Sequence, residues 1–269
     1  VGDKTIPLSG KWKYKVSASN SDFDFVEYGP NAYPSLLYNA MVNPLVGLSM
    51  QGVIWYQGEN NTNRAKGYYH LFPAMINDWR KKWGKDFPFY WVQLANYMDA
   101  VEVPSESLWA QVREAQTQTL SLPHTGQAVI IDIGEAKDIH PKNKQEVGRR
   151  LALHALHNDY GFSDVVCESP MPKTVRRVQD KIVVQFDNVA DGLIVKNKYG
   201  YLMSFAVAGT DGVYKWVQAK VAGKDRVVLS CPDVIDPVSV RYAWGDNPDD
   251  ANLYNSVGLP ATPFEIKIE

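Results

Sequence analysis

Asp138 and His140 stand two residues apart in the stretch DIGEAKDIHP, Asp132 to Pro141. One carboxylate in that place can fix the tautomer of the imidazole and stabilise its charged form, while the other ring nitrogen takes a proton. His140 is therefore a candidate catalytic base and Asp138 its acid partner. The stretch also admits a metal site, built from His140 with Asp132, Glu135 or Asp138. Usual zinc sites draw on at least two His or Cys ligands, and the chain has only five His, so the acid–base reading comes first. An isolated Asp-x-His is also compatible with ordinary solvated surface. A second polar stretch, QGENN, begins at Gln57. Gln57 could present its amide NH2 to a developing oxyanion, with Gly58 leaving backbone room beside it. Glu59 and Asn60 are candidates for substrate binding or loop support.

Both stretches need elements that hold them. AVIID (Ala128 to Asp132) has the look of a buried parallel strand, and the residues after Pro141 have helical spacing, with the proline suited to the first turn. GVIWY (Gly52 to Tyr56) is a strand running straight into QGENN. Lys66 to Trp83 is the clearest helix, with Tyr68, Leu71, Phe72, Met75, Ile76, Trp79 and Trp83 at three- and four-residue steps. FPFYWVQLA (Phe87 to Ala95) reads as the next strand and Leu108 to Leu120 as another helix. LLYNAMVNPLVGLSM, after Ser35, reads as a buried helix despite Pro44. From 35 to 162 the order is helix, strand, helix, strand, helix, strand, helix, which implies a parallel sheet with covering helices: an α/β fold. In such a sheet QGENN and DIHP open on the same edge, at the carboxyl ends of the strands, where these folds place their chemistry.

After Gly161 the texture changes. KTVRRVQ, KIVVQF, GLIVK, SFAVAG, VYKWVQAKV, RVVLS and VSVRYAW are short runs rich in Val and aromatics, separated by Gly, Asp, Asn and Pro. They indicate a smaller antiparallel β-sandwich-like domain. The expected organisation is 1–34 as linker and tail of an upstream β unit, 35–162 as α/β, and 163–269 as antiparallel β, with SPMPK (Ser169 to Lys173) as the joint.

The bulk numbers exclude some partners. Net charge is -2, with 45% hydrophobic and 22% charged residues, ordinary for a globular protein. That balance gives no electrostatic reason to bind nucleic acid or an anionic membrane. No apolar run approaches the ~20 residues that span a bilayer, and VGDKTIPLSG lacks the pattern of a signal peptide. Cys167 and Cys231 could form one disulfide or remain buried thiols. The 8 Trp, 15 Tyr and 9 Phe suit sugar-binding surfaces and large cores alike.

GVIWYQGENN, FYWVQLANY, WAQVREAQ and IDIGEAKDIHPKNKQEVGRRLA follow one another in that order, with PSLLYNAMVNPL before them and GLPATPFEI near the end. From about residue 34 onward the chain resembles the sialate O-acetylesterase branch of the SGNH hydrolases. The resemblance implies a flavodoxin-like sheet and a Ser-His-Asp triad that removes acetyl groups from sugar hydroxyls without a cofactor. Acetylated sialic acid and acetylated xylan or other plant glycans are open as substrates. It also implies an extracellular or periplasmic protein, lysosomal or secreted in a eukaryote. By motif, His140 matches the family's base, Asp138 its acid and Gln57 its side-chain oxyanion donor. Only Ile139 separates Asp138 from His140, whereas the wider SGNH pattern more often has two intervening residues. Arg113 and Gln116, in REAQ, match positions that are structural or substrate-side.

The family's nucleophilic Ser has no counterpart here. Ser49 in GLSMQG precedes a strand, whereas a nucleophile elbow follows one, and Ser9 and Ser35 have no better context. The chain is therefore expected to be the carboxyl-terminal part of a longer protein, with residues 1–34 the end of a β insertion. Its partner would be the upstream amino-terminal part, which would supply Ser, and this chain alone would be inactive. The alternative from another class is a non-catalytic carbohydrate-binding or scaffold protein.

Overall fold

Tyr68, Phe72, Ile76 and Arg80 are buried along one side of helix α1 (Ala65–Trp83), because residues four apart fall on one helix face. The computed structural model describes residues 33–269, with Gly10, Lys11, Lys13, Lys15 and Gly29. Most of the 1–34 segment, Ser9 included, lies outside the described residues. Residues 49–269 make one compact unit, and residues 1–48 are grouped apart from it.

The alternation continues from β1 (Val53–Trp55) through α1 (Ala65–Trp83), β2 (Phe89–Val92), α2 (Leu108–Gln118) and β3 (Thr125–Ala128) to α3 (Lys144–Asp159). Among the described residues the three strands form one parallel sheet in the order β1-β2-β3. Phe72, Ile76, Trp109 and Val112 of α1 and α2 pack on Phe89 and Trp91. Val147 and Leu151 of α3 pack with Tyr90, Val92 and Ile130. Tyr90 and Trp91 are neighbours in one strand and point to opposite faces, so the sheet is covered on both sides.

Three expectations are corrected. First, the strand placed at Ala128 to Asp132 ends at Ala128. Its neighbour β2 ends at Val92, opposite Ala128, and the Gln93 N–H closes the ladder on the Ala128 carbonyl. The apolar run beyond is buried for another reason: Val129 and Ile131 belong to the core of the β region, and Ile130 to the core beside α3. Second, Pro141 precedes α3 rather than opening it. Asn143 is the N-cap, its Oδ1 accepting the Glu146 N–H at 3.2 Å.

Third, the segment after Ser35 is not a buried helix. It forms a π-helical stretch (Tyr38–Val42) and a 3-10 turn (Asn43–Leu45) with no buried residue. Pro44 has no N–H to continue an α-helical ladder, and Leu36, Leu37, Met41 and Leu45 are exposed.

After α3 come β4 (Met171–Val178), β5 (Lys181–Asp187), β6 (Leu193–Val195), β7 (Phe205–Gly209) and β8 (Tyr214–Trp216). Then follow β9 (Gln218–Ala222), β10 (Arg226–Ser230), β11 (Pro237–Tyr242), β12 (Leu253–Asn255) and β13 (Phe264–Lys267). They pair antiparallel in the orders β4-β5-β10-β9, β13-β11-β7-β8 and β12-β6. The two larger sheets share a core that includes Val184, Phe186, Phe205, Val207, Leu229, Val240 and Phe264. The run VYKWVQAKV splits at Val217, with β8 in one sheet and β9 in the other. Cys167 and Cys231 are both buried and free.

Candidate active site

Because β1, β2 and β3 are parallel, the loops that leave their carboxyl ends open on one edge of the sheet. Tyr56, Gln57, Glu59 and Asn60 from the first loop and Ile139, His140, Pro141 and Lys144 from the third line one open pocket of about 390 Å³ there. QGENN and DIHP therefore converge as their positions after strands require.

Gln57 is held on both ends of its amide. Its Nε2 donates to Asn61 Oδ1 at 2.7 Å, and Tyr68 Oη donates to its Oε1 at 3.1 Å. An NH2 group carries two N–H bonds, so the bond to Asn61 leaves one for a ligand. Gly58 has φ 153°, and a Cβ there would press on Gln116, Leu94 and Val112. Glycine is needed at this position to pack the loop against α2, and the residue is not part of the pocket lining. Glu59 opens a 3-10 turn (Glu59–Arg64) that leads into α1. The Tyr56 hydroxyl is buried without a hydrogen-bond partner among the described residues; burial, with Glu59 nearby, raises its pKa. Lys144 Nζ stands 4.6 Å from the centre of the Tyr56 ring.

The His140 side chain is 86% exposed, and its Nδ1 is 3.7 Å from Asp138 Oδ1, beyond hydrogen-bond range. That same Oδ1 accepts the backbone N–H of His140 at 2.9 Å. The carboxylate thus lies beside the imidazole while bonding the main chain. Catalytic contacts are often long before substrate closes the site.

The rest of the loop is strongly held. Arg150 in α3 binds Asp132 through Nη1–Oδ1 at 2.6 Å and Nη2–Oδ2 at 2.9 Å, and Tyr254 Oη donates to Asp132 Oδ2 at 3.3 Å. Lys142 Nζ donates to Glu135 Oε2 at 2.9 Å. Asp132 and Glu135 are therefore committed to cations of the protein, and among the described residues no three His, Cys, Asp or Glu gather as a metal cage.

Arg113 is fully buried in α2. Its guanidinium donates to the carbonyls of Leu94, Ala95, Gly245 and Asp246 at 2.6–2.9 Å, and burial lowers its pKa to about 9. It clamps the chain after β2 to the β region and does not reach the pocket. Gln116 acts similarly: its Oε1 accepts the Leu94 N–H at 3.0 Å, and its Nε2 donates to the Gln57 and Val92 carbonyls at 3.3 Å. Among the described residues no serine lines the pocket. Ser49 precedes β1, whereas Gln57 follows it. Sequence reasoning passed over the Arg150–Asp132 pair and two side-chain amides: Asn96, which accepts the Gly134 N–H in the DIHP loop, and Asn247, which accepts from Asn96.

The parallel sheet thus carries a Gln-bearing loop after its first strand and a His-bearing loop after its third. The chain is a member of the family described as carbohydrate esterase, sialic acid-specific acetylesterase, whose model matches residues 21–157. It is similar to the sialate O-acetylesterase of Homo sapiens, 31% identical over 264 residues, which cover 88% of this chain and 49% of that protein. The sialate O-acetylesterase of Rattus norvegicus is 31% identical over 278 residues, covering 91% and 50%. The chain thus spans about half the length of the curated relatives it matches. It is also similar to the crystal structure of a carbohydrate acetylesterase from Xanthomonas citri, 45% identical with a TM-score of 0.82, over 88% of this chain and 55% of that one.

Proposed function

We propose that this chain carries the base, its carboxylate partner and a side-chain oxyanion donor of a sialate 9-O-acetylesterase-like carbohydrate O-acetylesterase. The observation that carries the reading is the convergence of Gln57 and His140, from two different strand ends, on one open pocket. His140 takes the proton of a serine hydroxyl as that oxygen attacks the acetyl carbonyl. The second N–H of Gln57 meets the negative oxygen that forms. His140 then protonates the departing sugar oxygen, and water releases acetate from the acyl-enzyme by the same steps. Asp138 stabilises the imidazolium once substrate brings the two side chains together.

The nucleophile in this reading comes from outside the described residues, since the family resemblance calls for a Ser that this pocket does not supply. Substrate is an acetylated sugar, sialic acid or a plant glycan such as xylan, the choice being made by loops rather than by the sheet. The test is a serine-directed covalent probe on the whole protein, followed by peptide mapping. An adduct on a Ser outside residues 1–269, with acetate release lost, is expected. Residues 1–269 by themselves should release no acetate from an aryl acetate or acetylated sugar. Full turnover by that piece would place the nucleophile within it.

A further inference from the structure

Asn96 follows β2 and is buried. Its Oδ1 accepts the N–H of Gly134 at 2.7 Å, inside the loop that carries Asp138 and His140, and its Nδ2 donates to Asn247 Oδ1 at 2.9 Å. Asn247, buried in the β region between β11 and β12, donates in turn to the Met98 carbonyl at 2.7 Å. The Met98 N–H donates to the Ala136 carbonyl at 2.9 Å. The bonds close a circuit that pins the loop at two points, Gly134 and Ala136. Gly134 must lack a side chain for this, because a Cβ there would collide with the carbonyl oxygen and Oδ1 of Asn96.

His140 needs such a brace. Its side chain is largely in solvent and 3.7 Å from Asp138, so its place depends on the backbone of the loop. We infer that Asn96 and Asn247 are positioning residues for His140, and that the β region serves the reaction by bracing the catalytic loop through Asn247. Neither amide lines the pocket, so each acts through the loop and touches no reacting atom. The inference rests on the acetylesterase reading of His140. Misplacing a catalytic group by about 1 Å can cost on the order of 10²-fold in rate.

The variants separate bracing from mere stability. Asn96→Ala removes the acceptor for Gly134 and the link to Asn247. Asn96→Asp keeps an acceptor for Gly134 and exchanges the donor for a carboxylate oxygen facing Asn247, whose amide can turn its NH2 towards it. In the whole protein, Asn96→Ala should lower kcat by about 10–100-fold while KM stays within about threefold, and Asn96→Asp should regain much of that loss. Asn247→Asp, which still accepts from Asn96 but cannot donate to Met98, should give a smaller fall in kcat, again with KM little changed; it serves as the test if Asn96→Ala does not fold. A folded Asn96→Ala or Asn247→Asp enzyme with wild-type kcat would overturn the inference, as would equal losses for Asn96→Ala and Asn96→Asp. His140→Ala run in parallel distinguishes the two levels: if it keeps full activity, the acetylesterase reading fails first.

Discussion

Arg150 holds Asp132 with two parallel bonds, 2.6 and 2.9 Å long, and so fastens the first residue of the DIHP loop to the helix that follows it. Paired contacts of this kind fix orientation as well as charge. Both groups are largely buried, with side-chain exposures of 5% and 12%. The carboxylate nearest the strand is therefore structural, which leaves Asp138 and His140, at the far end of the loop, as the pair we propose for catalysis.

The same commitment bears on metal. With Asp132 on Arg150 and Glu135 on Lys142, His140 and Asp138 are too few for a usual catalytic zinc site. Dialysis of the whole enzyme against a strong chelator should leave acetate release unchanged. Activity that disappears and returns with a divalent ion would contradict this.

Glu146 completes the support by binding Arg149 and Arg150. Hydrogen bonds from Arg149 and then Arg150 hold its carboxyl down to about 2, against about 4.3 in an unfolded chain. A group depressed on folding stabilises above its unfolded pKa, and the gain is lost as pH falls through the folded value. Glu146→Gln should therefore lower the urea midpoint at neutral pH, with the gap to wild type closing between about pH 4.3 and 2. A gap that widens on acidification would be the contrary result.

Arg113 separates a structural role from a substrate-side one. Arg113→Met takes a donor from four carbonyls, of which Ala95 keeps Trp109 Nε1 and Asp246 keeps the Tyr97 N–H, and a loss of about 3 kcal/mol is expected in denaturant unfolding. Arg113→Lys should help little, because one ammonium cannot reproduce the planar fork. Unchanged stability with a raised KM would assign Arg113 to substrate.

Gln57→Ala should lower kcat by about 10²–10³, the usual cost of one oxyanion donor. Since Tyr68 and Asn61 hold the amide, Asn61→Ala should reproduce part of that loss by freeing it to rotate. A kcat within a few-fold of wild type for folded Gln57→Ala would remove the role.

Much of this arrangement is legible in the sequence because it is local. Only Tyr56 separates Gln57 from the end of a three-residue strand, and α1 shows its buried face in its own spacing. What lies across the chain is not legible. Asn96 meets Asn247 and Arg113 meets Gly245, pairings that only the packing of the β region against the sheet creates. The run Val129 to Ile131 misleads for the same reason: it is apolar to fill two cores, not to extend β3. The chain after Ser35 is apolar as well, but no packing buries it among the described residues.

The most direct measurement is acetate release from an acetylated sugar by the whole protein, wild type against His140→Ala, with folding checked by circular dichroism. The account predicts a fall in kcat of at least about 10³-fold, the scale of losing a triad base, and a smaller fall for Asp138→Asn. A folded His140→Ala enzyme working within tenfold of wild type would contradict it.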